Sequence, residues 1–183
     1  FHRQELLARL NAGMRIICLE ADLMRERREL HKINAELTIL NCKLELMATT
    51  DELTGLANRR EAMRQLRSGW STSVRYHQPF SCIMLDVDNF KRCNDTYGHD
   101  MGDLLLKCTG ETLQAISRAG ELVGRIGGEE FLVLCPNSNG QMVAQAAERY
   151  REAIAANVLK KGDLDLRVTI SAGVATRDDY VAN

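Results

Sequence analysis

The stretch that decides the fold is Leu122-Val123-Gly124-Arg125-Ile126-Gly127-Gly128-Glu129-Glu130-Phe131-Leu132-Val133-Leu134-Cys135. Two apolar runs, Leu122 to Ile126 and Phe131 to Cys135, flank a Gly-Gly-Glu-Glu segment, a spacing that suits a tight β-hairpin. A hairpin of this apolar character has to be buried against more sheet and against helices. Upstream, Phe80-Ser81-Cys82-Ile83-Met84-Leu85-Asp86-Val87 reads as a buried strand. Helical patterns are expected near Asn58 to Tyr76 and from about Met101 to Arg118. Downstream, a helix around Gln141 to Asn157 and a strand from Leu166 to Ala172 complete a β-α-β-β-α-β order. That order predicts an α+β fold of the ferredoxin-like, palm type: one antiparallel sheet backed by helices.

The segment before this domain has a different texture. From Phe1 to about Thr50 there is no proline and one glycine, and apolar residues alternate at spacings of four and three. The cleanest seam is Ala12, Ile16, Leu19, Leu23, Glu26, Leu30, Ile33, Leu37, Leu40, Leu44 and Met47, apolar except at Glu26. Such a stripe predicts a parallel two-stranded coiled coil, because a lone helix has no core on which to bury it. The competing expectation is an amphipathic helix lying on its own domain. Polar capping residues at Thr49-Thr50-Asp51 put the boundary near residue 50, so residues 1–50 form the dimerising helix and 51–183 the α+β domain.

Composition narrows the function. The chain has 183 residues, with 24 Lys and Arg against 25 Asp and Glu for a net charge of −1. That balance provides no basic field for bulk nucleic acid or an anionic membrane, so a polyanionic ligand must be held by local groups. Cys18, Cys42, Cys82, Cys93, Cys108 and Cys135 show no C-x-x-C spacing and read as reduced packing residues of a cytoplasmic protein. No stretch reaches the roughly 18 apolar residues of a membrane span. The chain begins at Phe1 and is expected to be a piece of a longer protein, with an upstream sensor or anchor.

The chemistry gathers at strand ends. Asp86 and Asp88 follow an apolar run, and a strand-end turn cap competes there with a cation site. The hairpin would bring Glu129 and Glu130 beside them, and acids from separate segments repel unless a cation lies between them. A hard divalent ion such as Mg²⁺ takes one or two carboxylates together with substrate phosphate.

The hairpin tip with its following Phe131 resembles the signature of the GGDEF family of diguanylate cyclases, in a GGEEF variant. The segment Asp51-Glu52-Leu53-Thr54-Gly55-Leu56-Ala57-Asn58-Arg59-Arg60 is similar to the family's entry motif. The block from Asp86-Val87-Asp88-Asn89-Phe90-Lys91 through Asn94-Asp95, Gly98-His99 and Gly102-Asp103 resembles its second motif, and Thr169 to Ala175 its last core strand. The resemblance implies condensation of two GTP into cyclic di-GMP across a homodimer joined through the N-terminal helix. It implies that Asp86, the Val87 carbonyl, Glu129 and neighbouring Glu130 hold two Mg²⁺ ions, with Mn²⁺ as an alternative. Lys91 would stabilise phosphate charge, and Glu129 would assist deprotonation of the 3′-hydroxyl. Asn94 and Asp103 would read guanine, with His99, Gly127 and Gly128 lining the nucleotide site.

Two departures from the family stand out. Its product-inhibition motif R-x-x-D reads Arg118-Ala119-Gly120-Glu121 here, with a longer acid. The chain also ends at Asn183, where relatives continue into a last helix with basic residues. A non-catalytic module sensing GTP or cyclic di-GMP is the leading alternative function, and a purely structural dimeriser is a third.

Overall fold

The computed structural model describes residues 3–162 and 164–177. The chain divides into two units, residues 1–46 and 47–183. The first is a continuous helix, α1, Arg3–Thr49, whose last residues pass into the second unit. Along it Leu19, Leu23, Leu30, Ile33, Leu37, Leu40, Leu44 and Met47, members of the heptad seam, are exposed in the single chain. No helix among the described residues is long and apolar enough to cross a membrane.

The second unit carries α2 (Arg59–Tyr76), β1 (Phe80–Val87), α3 (Phe90–Tyr97), α4 (His99–Ile116), β2 (Leu122–Gly127), β3 (Glu130–Pro136), α5 (Gly140–Ala156), β4 (Leu159–Lys161), β5 (Leu164–Leu166) and β6 (Ile170–Arg177). The main sheet runs β2-β3-β1-β6 and is antiparallel throughout, the ferredoxin-like order expected from the sequence. Strand alternation sorts its two faces. Ile83, Leu85 and Val87 of β1, with Phe131 and Val133 of β3, point into a core completed by Leu105, Leu106 and Leu113 of α4 and by Tyr150 and Ile154 of α5. On the opposite face Ala62, Met63 and Leu66 of α2 cover Phe80, Leu132 and Leu134.

Three local differences from the sequence reading have physical causes. The strand expected at Leu166 to Ala172 lies at Ile170–Arg177, because β6 is registered on β1 with Asp86 opposite Ser171, and Leu166 is taken by the short β4–β5 hairpin. The helix expected from Met101 begins at His99. An unanticipated helix, α3, fills the gap after β1: Asn89 enters it with φ 57, a left-handed value Asn tolerates, and Gly98 leaves it with φ 83. Eight residues are too few for a helical period to stand out from sequence.

Candidate active site

The site forms where β1 ends beside the β2–β3 turn. Asp86 pairs in register with Glu130 across β1 and β3, and the Val87 N–H donates to the Glu129 carbonyl at 3.2 Å. Gly128 turns the chain with φ 49, a conformation that favours glycine. Backbone pairing alone therefore brings the two acidic segments together. Burial, and after it the charges of Glu129, Glu130 and Asp88, push the Asp86 carboxyl above the usual carboxylate range. Such crowding of like charge is what a cation relieves.

Asp88 behaves differently. Its carboxylate accepts from Ser171 Oγ and Thr169 Oγ1, each at 2.6 Å, and these bonds hold it below the usual range. It ties the end of β1 to Thr169 and to Ser171 of β6, a link between distant segments rather than the local turn cap expected from the sequence. Among the described residues no three His, Cys, Asp or Glu side chains form a ready-made metal cluster. The all-oxygen donor set of Asp86, the Val87 carbonyl and Glu129 nonetheless fits a hard ion such as Mg²⁺, which needs few protein carboxylates.

The remaining sequence-predicted residues come from α3, α4 and the turn. Lys91 lies exposed in the first turn of α3 and Asn94 one turn further along. His99 opens α4, and Asp103 follows one turn later, both exposed. Gly127 and Gly128 are exposed at the hairpin tip. The Asn94 Oδ1 atom is buried without a hydrogen-bond partner among the described residues.

Arg125, which the sequence reading did not single out, organises the turn. Its Nε and Nη2 donate to the Gly128 carbonyl at 3.0 and 2.8 Å, and its Nη1 meets Asp51 Oδ1 at 3.1 Å. Asp51 is also the acceptor for the Thr54 N–H and hydroxyl at 3.0 and 2.8 Å. Burial alone would raise the Asp51 carboxyl, but Thr54 and Arg125 together outweigh it and hold the group below its ordinary range. The entry segment is stitched to β2 as well, since Ala57 N donates to Val123 O and Arg125 N to Ala57 O. The one signal available in the sequence was a lone basic residue inside an apolar strand.

Arg118 and Glu121 sit between α4 and β2. The Glu121 carboxylate accepts from the Arg118 N–H at 2.7 Å, from Tyr150 Oη at 2.7 Å and from Arg149 Nη2 at 3.1 Å, and its side chain is 10% exposed. The Arg118 side chain is exposed.

A four-stranded antiparallel sheet with helices on both faces, and carboxylates gathered at the end of its first strand beside a Gly-Gly turn, defines a palm-type domain. The family model "Diguanylate cyclase, GGDEF domain" matches residues 48–181, and the chain belongs to that family. Diguanylate cyclase DgcP of Escherichia coli is 34% identical over 151 residues, covering 82% of this chain and 44% of DgcP. The response regulator PleD of Caulobacter vibrioides is 41% identical over 138 residues, covering 74% of this chain and 30% of PleD. Among solved structures, the coiled coil and GGDEF domain of DgcB from Caulobacter crescentus, in complex with c-di-GMP, is similar with a TM-score of 0.74 and 28% identity, covering 87% of this chain and 83% of that chain. The chain spans less than half the length of these curated relatives.

Proposed function

We propose that this chain is a diguanylate cyclase that condenses two GTP into cyclic di-GMP as a homodimer. The observation that carries this reading is the convergence of Asp86 on Glu129 and Glu130, with its carboxyl raised by burial and by their charges. Each half-reaction forms a bond between the 3′-oxygen of one GTP and the α-phosphorus of the other. The bond from that phosphorus to the pyrophosphate oxygen breaks, and pyrophosphate leaves with its electron pair. Repeating this at the second 3′-hydroxyl closes the ring and releases a second pyrophosphate.

Asp86, the Val87 carbonyl and Glu129 would hold Mg²⁺ or Mn²⁺, with Glu130 as a nearby acid. When bound, such ions neutralise triphosphate charge and lower the pKa of the attacking hydroxyl. Glu129 accepts the hydroxyl proton, and Lys91 offers its ammonium to the phosphates. Asn94 and Asp103 recognise guanine, because a carboxylate accepts from its N1–H and 2-amino group while adenine would leave the acid unpaired. His99, Gly127 and Gly128 shape the nucleotide site.

Two copies are required because each domain holds one GTP. The apolar seam of α1, exposed in the single chain, supports pairing through a parallel coiled coil. Pairing supplies the effective concentration that brings two half-sites face to face. We assign the domain to the cytoplasm, with the input from an upstream sensor and no nucleic-acid partner. Product inhibition through Arg118 and Glu121 is weak in this reading, since the Glu121 carboxylate is already held by Arg149 and Tyr150.

The test is incubation of the purified chain with GTP and Mg²⁺ and chromatographic separation of the products. Cyclic di-GMP is expected from the unmutated chain and not from Asp86→Ala or Glu129→Ala. A folded dimer that binds GTP and forms no product would refute the cyclase reading in favour of a sensing module.

A further inference from the structure

Asn94 on α3 and Gly102 on α4 meet where the two helices pack. Gly102 is buried within α4. A Cβ at this position would fall inside the van der Waals envelope of Asn94 Oδ1, 2.9 Å from Asn94 Cγ and 3.1 Å from Phe90 Cζ. Gly98, by contrast, has open space around it. Hydrogen in place of a side chain at 102 is therefore what lets the Asn94 amide lie against the α4 backbone.

Two further facts give this contact a functional meaning. Asn94 Oδ1 is shielded from water and has no hydrogen-bond partner among the described residues, a costly state for an acceptor that calls for a functional account. The group a methyl would displace is mainly the tip of a flexible side chain rather than backbone. A substitution at 102 would thus move the amide while leaving the helix pair able to form.

We propose that Gly102 is a specificity-determining position for the guanine base, acting as a positioning residue that holds the Asn94 amide in its reading place. The inference rests on the proposed role of Asn94 in guanine recognition. Neither Lys91 nor the acidic end of β1 is among the atoms nearest a methyl at 102, so the loss is expected to fall on base discrimination.

The experiment is calorimetric titration of the purified chain with GDP and with ADP, which avoids turnover, in four variants: unmutated, Asn94→Ala, Gly102→Ala, and both together. Gly102→Ala is expected to weaken GDP roughly tenfold, the worth of about one hydrogen bond, while ADP affinity stays the same. The double variant is expected to bind GDP no more weakly than Asn94→Ala alone. An undiminished additional loss in the double variant, equal losses for GDP and ADP, or no loss in Gly102→Ala overturns the assignment. Asn94→Ala with unchanged GDP affinity overturns the guanine reading beneath it, a distinct outcome. Should Gly102→Ala lower the melting temperature, recovery in the double variant supports the displaced amide as the cause, and no recovery refutes it.

Discussion

Replacing Arg125 by alanine removes a side chain that ties the entry segment to the signature turn. Lost are two hydrogen bonds to the Gly128 carbonyl, at 3.0 and 2.8 Å, and the 3.1 Å pair with Asp51. Gly128 is exposed, so its carbonyl regains water and the net cost there is about 1 kcal/mol. The Arg125 and Asp51 side chains are 14% and 25% exposed, and Asp51 keeps both Thr54 bonds, so losing the ion pair adds about 1 kcal/mol. A total near 2 kcal/mol corresponds to a fall of roughly 5–9 °C in melting temperature for a domain of this size. Trp70, the chain's one tryptophan, sits on α2 and reports unfolding of this unit by its fluorescence without interference from α1. Arg125→Lys, which keeps the charge but not the fork, is expected to recover about half of the loss. The Asp51 share depends on pH with a definite sign. Because its folded pKa lies below the unfolded value, its stabilisation is full above the ordinary carboxylate range and disappears as pH falls through the folded pKa. Asp51→Asn should therefore melt lower than the unmutated chain at neutral pH and converge with it in strong acid. Cyclase rates should drop about tenfold in Arg125→Ala, because the turn bearing Glu129 loses its fixed position. A melting temperature within 1 °C of the unmutated chain, together with an unchanged rate, would show that the turn is held by the hairpin alone.

Asp86 should act in the opposite direction on stability, since it faces the charges of Glu129, Glu130 and Asp88. Asp86→Asn is expected to raise the melting temperature in EDTA while abolishing cyclic di-GMP formation, and added Mg²⁺ should raise the melting temperature of the unmutated chain only. Glu121→Ala strips the acceptor from Arg149 and Tyr150 and should destabilise by roughly 3 kcal/mol, seen as a lower urea midpoint. Arg118→Ala, in contrast, should leave rates measured with added cyclic di-GMP within about twofold of the unmutated chain, as expected where the Glu121 carboxylate is already held by Arg149 and Tyr150. Burial, and then the Glu121 charge, push the Cys135 thiol up to about 12, whereas Cys18 and Cys42 are exposed on α1. Mass spectrometry after brief native alkylation near pH 8 should find Cys18 and Cys42 modified and Cys135 untouched.

Much of the protein is legible in its sequence because the relevant physics is local. The apolar runs Phe80 to Val87 and Phe131 to Cys135 read directly as buried strands, and the pleat sends Ile83, Leu85 and Val133 into one core and Leu132 and Leu134 against α2. The heptad seam of α1 is likewise visible residue by residue, and the glycines of the signature mark the turn where Gly128 takes φ 49. What the sequence could not express depends on residues far apart in the chain. That Thr169 and Ser171 are the hydrogen-bond donors to Asp88 follows only from the docking of β6 on β1. Arg125 became the clamp of the turn because the Asp51 loop folds back on β2, and Glu121 was drawn into the interior by Arg149 and Tyr150 on α5. Side-chain types are inscribed in sequence, whereas the partner that claims each polar group is fixed by the packing of distant elements, where an unpaired buried group is too costly to leave.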